Sequence, residues 1–310
     1  MHWGPVRMGG EGASTTTERR LDTTPASSSR STGLLGKFAS PRMIKNIAIG
    51  FGGAFIFLAL FVYLGMVGLY DLQYAASTLN ALRIGATNTL VLVGIVIPVG
   101  LSAGFTFGWG RTSHRWFVRS VSTVYVEFFR SMPPLVLIFF AFLISTTVVL
   151  SVPGLADRIG DPNSFAISMS VLALAFHSGA YQAEIVRAGI QSVPTGQREA
   201  AEAIGLKRGR ILAYVILPQM LRVSLPALGN EFASVIKDTS LLSAVGILDL
   251  AYMASNLSSR LIISRGSIEN IFLVYVEIAL IYLAMTFIVS RALQEIERAF
   301  RVPGLEPAQL

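Results

Sequence analysis

The sequence lacks cysteine altogether and carries little charge. Asp, Glu, Lys and Arg make up 14% of its 310 residues, where a soluble domain has about 25%. Without cysteine the chain forms no disulfide, no catalytic thiolate and no metal site with sulfur ligands. His114 and His177 stand alone rather than in the group of ligands that a metal site needs. We therefore expect no metal and no cofactor.

A phosphate-binding sequence is missing as well. No Gly-x-x-x-x-Gly-Lys-Ser/Thr run occurs, so the chain has no loop of the P-loop kind to hold ATP. We expect that the chain by itself is not an enzyme. Residues 1–40 contain no apolar stretch of the kind found in a secretory signal peptide, so none is expected.

Long apolar runs dominate what is present. Hydrophobic residues make up 53% of the chain and its mean hydropathy is +0.60. A run of about 20 apolar residues is long enough to cross the hydrocarbon core of a bilayer. We predict an all-α membrane protein with six spans, at about 46–69, 85–108, 118–150, 165–186, 223–248 and 270–290. Pro133 and Pro134 interrupt the third span, and we expect a kink near Ser131.

The two ends of the chain differ from this apolar middle. Residues 1–43 are rich in Ser, Thr, Gly and Arg, and such a segment buries too little apolar surface to offset the entropy of ordering it. We predict a disordered tail, followed by an accessory N-terminal membrane helix at 44–70. Residues 293–310 are expected to form a C-terminal tail.

The distribution of basic residues predicts the orientation. Most of the 25 Lys and Arg residues lie in the N-terminal tail, in the segments 109–119 and 187–210, and after the last span. The opposite side has only Arg83, Arg158, Arg260 and Arg265. Basic loops stay in the cytoplasm, so both termini are predicted to be cytoplasmic in a multi-pass protein of the cell membrane. The net charge of +7 follows from this topology and does not indicate a nucleic-acid partner.

A charged, Ala-rich segment interrupts the apolar runs at residues 196–218. Thr195 is a suitable N-cap, and Gly205 can take the left-handed position that ends a helix. Glu199 and Glu202 come early and basic residues follow, an order that complements the helix dipole. Ala200, Ala201 and Ala203 keep the helix thin, and Ile204 and Leu206 offer an apolar anchor.

Two interpretations of this helix stay open on these grounds. A short rigid helix with small residues fits into a groove on a partner protein. The same caps and charges also suit a solvated loop helix with no partner.

Five short sequences resemble one family of membrane proteins. The first resembles the EAA motif of ABC-importer permeases. It consists of Glu199, Ala200 and Ala201, then Gly205, then the run Val215-x-Leu217-Pro218, with Val215 where Ile is usual. Four other segments resemble the branch of this family that carries polar amino acids. They are residues 180–194, residues 125–130 together with Pro133, residues 237–241, and residues 87–90 ahead of Gly100 and Gly104. Ser131 and Met132 stand where that branch commonly has Gly and Thr. The resemblance covers about 84–292.

This resemblance implies the transmembrane domain of a type I importer, with five core spans at 84–292 in addition to the N-terminal span. It implies two ATP-binding cassette subunits, a second permease subunit that is the same chain or a homologue, and an extracytoplasmic amino-acid-binding protein. A coupling helix at 196–205 would contact the ATPase through Gly196, Glu199, Ala200, Ala201 and Gly205. Pro218 would shape the exit from it. The cargo implied is an amino acid.

Charged residues within spans need partners or a wet cavity, since each costs at least ~2.5–3.5 kcal/mol in the middle of a membrane. Glu127 and Arg130 lie three residues apart and are predicted to pair, as are Glu184 and Arg187. Glu231, Lys237 and Glu277 are candidate contacts for a zwitterionic substrate, because such a substrate needs both an acid and a base. Ion pairing between helices, with Lys237 or Asp238 facing one of the two acids, is the alternative.

A stand-alone secondary transporter or channel is the other function considered. Acidic residues within the membrane could couple such a protein to an ion gradient. The segment 196–218 favours an ATP-driven importer, because a self-sufficient transporter has no use for a cytoplasmic docking helix.

Overall fold

The computed structural model describes residue 59, residues 72–264 and residues 268–300. Contacts divide the chain into two units, Met1–Val62 and Tyr63–Leu310, and all the described residues except 59 belong to the second. Outside the described residues lie the predicted tail at 1–43, the predicted accessory helix at 44–70 except for residue 59, Arg265, and residues 301–310 of the predicted C-terminal tail.

The described residues form helices. In chain order these are α1 (Leu72–Arg111), α2 (Trp116–Ser131), α3 (Pro134–Ser151), α4 (Leu155–Ile159), α5 (Pro162–Gln191), α6 (Thr195–Ala203), α7 (Arg208–Ile211), α8 (Leu217–Asp238), α9 (Leu250–Ile263) and α10 (Ile268–Phe300). A π turn at Leu212–Ile216 joins α7 to α8, and a 3₁₀ segment at Thr239–Val245 follows α8.

Five stretches within the described residues are long and apolar enough to cross a membrane. They are Ala76–Arg111, Pro134–Ser151, Pro162–Gln191, Arg208–Val245 and Ile268–Arg298. The prediction of five core spans is confirmed. Four of the stretches begin before the predicted spans, whereas Pro134–Ser151 covers only the second part of the span predicted at 118–150. At about 1.5 Å per residue, the 40 residues of α1 exceed the ~30 Å hydrocarbon core, so one or both of its ends reach beyond that core unless it tilts steeply.

The predicted kink near Ser131 is a complete break. α2 ends at Ser131 and α3 begins at Pro134, with Met132 and Pro133 in extended conformations between them. Each proline lacks a backbone donor and disfavours helical geometry in the residue before it. Pro134 instead occupies the first helical position, where the missing N–H costs nothing.

The most extensive contact between two helices in the described part of the chain joins α1 to α5. Glycines on α1 make it possible: a Cβ atom at Gly104 would lie 2.7 Å from Cβ of Gln182, and one at Gly108 would lie 2.5 Å from the carbonyl oxygen of Ala183. Small residues spaced four apart let membrane helices approach closely. We call this contact the α1–α5 seam.

Helix α9 was not predicted from the sequence, where residues 249–269 were treated as outer loop. Asp249 caps its start by accepting a hydrogen bond of 2.8 Å from the backbone N–H of Tyr252. At 14 residues it is too short to cross a bilayer alone. Its buried residues recur at helical spacing, a signal that was available in the sequence: Leu250, Ala254, Ser258 and Leu261.

Candidate coupling and pathway sites

Helix α6 and its ending follow the sequence closely. Gly205 has a φ of +79°, in the left-handed region. Its backbone N–H donates to the carbonyl oxygen of Glu202 at 2.9 Å, and the backbone N–H of Leu206 donates to the carbonyl oxygen of Ala201 at 3.1 Å. These two bonds form a Schellman motif, in which a left-handed residue satisfies carbonyls left open at the helix end. The predicted role of Gly205 in ending the helix is confirmed.

The predictions for the start and the charges of α6 are wrong. Pro194 is the N-cap and makes no side-chain hydrogen bond, while Thr195 is the first helical residue. Glu199 lies beyond the first turn, and the helix has no acid in its first turn and no base in its last. The basic residues Arg208 and Arg210 belong to α7. The order of charges therefore does not support α6 through the helix dipole.

Helix α6 has one face on its own protein and one face in the open. Ala201 is 5% exposed, whereas Glu199 and Ala200 are exposed. At 3.6 residues per turn, Gly196, Glu199 and Ala203 lie opposite Ala201. Gly196, Glu199 and Ala200 are exposed, but Ala201, which the resemblance assigned to the same contact, faces its own chain.

A small apolar cluster attaches α6 to the ends of the spans. Buried side chains from α5, α6, α7, the π turn and α8 meet there, and Leu206 packs against them: Val186, Ile190, Val193, Ala201, Ile211, Ile216 and Met220. Leu206 is thus directed inward, contrary to its predicted use as an anchor for a partner. Ile204, by contrast, is 78% exposed. We call this group the α6 cluster.

Pro218 lies where the chain returns from α6 toward the membrane. It is in the first turn of α8, immediately after the π turn at Leu212–Ile216. A proline has no N–H to complete the bond four residues back, and a π turn changes the helical register at that point. The predicted place of Pro218, at the exit from the coupling segment, agrees with this geometry.

An ion-pair network joins α1, α2 and α5 near the same end of the bundle. Arg111 contacts Glu184 at 2.9 Å and Glu127 at 3.1 Å, and Arg130 lies 3.9 Å from Glu184. Arg187 also pairs with Glu184, through its Nε at 3.1 Å, as predicted. The predicted pair between Glu127 and Arg130 is wrong, because each side chain reaches across to a different helix instead.

The candidate pathway residues are dispersed. Glu231 on α8 accepts a hydrogen bond of 2.8 Å from Ser178, and Glu277 on α10 accepts one of 2.8 Å from Thr78. Lys237 is exposed and has no acid within 4.0 Å among the described residues. The alternative in which Lys237 pairs with Glu231 or Glu277 is therefore wrong for this conformation.

Glu231 belongs to a polar chain that sequence reasoning missed. Ser178, which donates to Glu231, accepts a hydrogen bond of 2.9 Å from the amide nitrogen of Gln182. The amide oxygen of Gln182 is buried and has no hydrogen-bond partner within the described residues. A buried polar atom of this kind needs a partner. The polar chain therefore runs from the carboxylate of Glu231 on α8, through Ser178, to a buried free acceptor on Gln182 in the α1–α5 seam.

Comparisons with known proteins agree with this architecture. Residues 96–302 match the family described as binding-protein-dependent transport system inner membrane component. The nopaline transport system permease protein NocQ of Agrobacterium fabrum is 32% identical over 217 residues, 69% of this chain and 88% of that protein. The glutamine transport system permease protein GlnP of Escherichia coli is 31% identical over 218 residues, 70% and 92% of the two chains.

A solved structure extends the similarity to three dimensions. A chain described as belonging to an amino acid ABC transporter with histidines is 32% identical and superposes with a TM-score of 0.59. The match covers 74% of this chain and 99% of that one.

Proposed function

Because this chain belongs to the family of binding-protein-dependent transport system inner membrane components, we propose that it is the permease subunit of an ATP-driven importer for amino acids. The similarity to a glutamine permease and to a chain of an amino acid ABC transporter supports this cargo. ATP hydrolysis is assigned to partner subunits.

The observation that carries the proposal is how α6 is attached. Its inner face, at Ala201, is packed into the α6 cluster, which contains side chains from α5 and α8. Its outer face, around Glu199, is exposed. A force applied to that face passes through close-packed side chains, which transmit displacement because interiors compress little. A solvated loop helix with no partner would need no such attachment.

The proposed complex contains two ATPase subunits, a second permease subunit and an extracytoplasmic amino-acid-binding protein. Each ATPase receives one α6 helix in a surface groove, through Gly196, Glu199, Ala200 and the turn at Gly205. Closure of the ATPases on ATP moves the two α6 helices together. The spans attached to them then turn as rigid bodies, so that the pathway opens alternately to each side of the membrane.

The proposed orientation places α6 and both termini in the cytoplasm. The excess of Lys and Arg in the segments on that side supports it. The chain has no native cysteine, so single cysteines report accessibility without background. Ala203→Cys should react with a membrane-impermeant maleimide in inside-out vesicles, and Asp157→Cys should react in right-side-out vesicles.

The docking face is tested by reversing one charge. Glu199→Lys should leave the helix folded, since Glu199 is exposed, but should reduce co-purification of the ATPase about tenfold, because loss of a charge-assisted contact costs ~1.5–3 kcal/mol. Glu269→Lys is the matched control, an exposed acid at the start of α10. Normal ATPase recovery and transport in Glu199→Lys would refute the proposed face.

Vesicle uptake separates the importer from a self-sufficient transporter. Amino-acid uptake should require the ATPase, the binding protein and ATP. Uptake by this chain alone, driven by an ion gradient, would support the secondary transporter instead.

We propose that the substrate pathway is lined by charged residues within the spans, namely the acids Glu231 and Glu277 and the base Lys237. Glu231, which Ser178 holds by a hydrogen bond, supplies the contact for the cationic group of an amino acid, and Lys237 supplies the contact for its carboxylate. Glu277 is the remaining acid of the set. Glu231→Gln should raise the KM for uptake with ATPase binding unchanged, because the fold needs only an acceptor at this position. An unaltered KM would remove Glu231 from the pathway.

A further inference from the structure

A groove of about 500 Å³ lies beside α6 and has not been assigned a role. It is lined by residues that follow α1, by one side of α6, and by the segment from Arg208 to Ile216. The exposed face of α6 proposed for the ATPase is a different one, because Arg198 and Glu202 line the groove from the flank of the helix. The groove is therefore distinct from the docking face.

The rim of the groove is strongly basic. Arg115, Arg198 and Arg208 come from three separate segments of the chain, and the acid among the lining residues is Glu202. All three arginines are exposed, and within the described ranges none has a carboxylate within 4.0 Å. Three arginines without an ion-pair partner, set against one acid, give the groove an excess of positive charge that favours an anion.

The floor of the groove is apolar and lies where spans end. It is formed by two partly exposed side chains, Trp109 near the end of the stretch Ala76–Arg111 and Leu212 near the start of the stretch Arg208–Val245. Ile211 and Ile216 also line the groove but are buried in the α6 cluster. Both stretches are long and apolar enough to cross a membrane, so the groove lies beside the ends of two candidate spans. Tryptophan is enriched at the ends of spans, where one part of the side chain meets hydrocarbon and another meets water.

We propose that this groove binds the phosphate of an anionic phospholipid, with the arginines on the headgroup and the apolar floor against the upper acyl chain. Basic pockets beside membrane helices bind anionic headgroups in this way. An acidic segment of a partner protein would satisfy the arginines but would leave the partly exposed side chains of Trp109 and Leu212 without an apolar partner. A free phosphate would likewise leave that floor uncovered.

The consequence is a link between lipid composition and α6. A lipid in the groove contacts Arg198 on α6 and Arg208 on α7 together, and both helices contribute to the α6 cluster. The bound lipid therefore holds α6 at one distance from the membrane surface.

The test uses the full chain in nanodiscs and the fluorescence of Trp109. Trp3→Phe and Trp116→Phe leave Trp109 as the single tryptophan of the three. Brominated phosphatidylglycerol and brominated phosphatidylcholine, at equal mole fraction, serve as quenchers. Phosphatidylglycerol should associate more strongly, and removal of each rim arginine (Arg115→Gln, Arg198→Gln, Arg208→Gln) should lower its relative association constant about fivefold.

Two neighbouring arginines are matched controls. Arg119→Gln and Arg210→Gln remove the same charge from exposed positions that do not line the groove. They should change lipid association less than twofold, since a diffuse surface charge is screened. Equal loss in the controls and in the rim variants would overturn the site in favour of general surface attraction.

Three further results would overturn the proposal. Equal quenching by the two lipids would remove the preference for an anion. Loss of quenching with millimolar inorganic phosphate would assign the groove to a soluble anion. Loss of quenching when the ATPase subunit binds would assign it to the partner protein. The readout requires no transport, so a negative result would leave the proposed importer function intact.

Discussion

The α1–α5 seam and helix α6 both depend on glycine, for opposite reasons. At the seam, Gly104 and Gly108 have no room for a Cβ atom because the neighbouring helix lies against them. In α6 and its turn, a Cβ atom at Gly196 or Gly205 would meet nothing within 4 Å. The seam is thus determined by this chain alone. The coupling segment carries small residues that its own packing does not require, apart from the left-handed conformation of Gly205.

The difference separates residues that build the bundle from residues available to a partner. Substitutions at the seam should affect folding first and transport only as a result. Substitutions on the exposed side of α6 should affect assembly with little change in folding. The following predictions test this separation, beginning with the largest expected effect on stability.

Gly108→Ala should destabilise the protein by about 3 kcal/mol, because a Cβ atom 2.5 Å from the backbone oxygen of Ala183 forces the helices apart. Gly94→Ala is the matched control on the same helix, where nothing lies within 4 Å. The control should be neutral or stabilising by up to ~1 kcal/mol, since alanine favours helix. Unfolding in mixed micelles measures both. Equal stability of the two variants would show that the seam is not tightly packed.

Glu184→Gln should cost about 2 kcal/mol, because Arg111, Arg130 and Arg187 then lose their shared carboxylate. Glu127→Gln is the comparison: its side chain is 56% exposed and contacts one arginine, so about 0.5 kcal/mol is expected. The same unfolding assay applies. If the two variants were equally destabilised, Glu184 would not be the centre of the network.

Gly205→Ala should cost about 1–2 kcal/mol locally, because φ is +79° there and a Cβ atom disfavours that conformation. Gly205→Val should cost more, since a β-branched residue fits the left-handed region worse. Hydrogen exchange of residues 195–206 would detect the loosened turn, and ATPase co-purification should fall with it. Unchanged exchange in Gly205→Val would contradict the Schellman ending.

The smallest expected effect is on the starts of two helices, at Asp161 before α5 and at Thr195 in α6. Asp161 accepts hydrogen bonds from Ser164 and Asn163 at the start of α5, and these bonds lower the pKa of its carboxyl. Its contribution is therefore present at neutral pH and lost as the pH falls through that lowered pKa. Asp161→Ala should lower the thermal midpoint slightly, whereas Thr195→Ala should leave it unchanged. A larger loss in Thr195→Ala would restore Thr195 as a cap.

Much of this architecture was predictable from local sequence. The apolar runs predicted five core spans, and Gly205 predicted the end of α6, because both features depend on residues close together in the sequence. Helix α9 was missed because its 14 residues are too short for a span and its burial depends on α1 and α10. The partners of Glu127 and Arg130 were missed because side chains on neighbouring helices competed with the pair predicted within one helix.

The site was predictable in position but not in orientation. The sequence predicted a short helix between α5 and α8, and α6 confirms it. The sequence did not predict which alanine of α6 faces inward, since that depends on the α6 cluster. The chain from Gln182 through Ser178 to Glu231 was also missed, because it joins residues far apart in sequence. The groove beside α6 is lined by three arginines from separate segments, which no local pattern reveals.

The central claim is that the exposed face of α6 meets an ATPase subunit in the cytoplasm. Its most direct test is maleimide labelling of Ala203→Cys in vesicles of known orientation, with and without the ATPase. We predict labelling in inside-out vesicles only, and protection when the ATPase is bound. Labelling from the outside, or labelling in inside-out vesicles that the bound ATPase leaves unchanged, would contradict the claim.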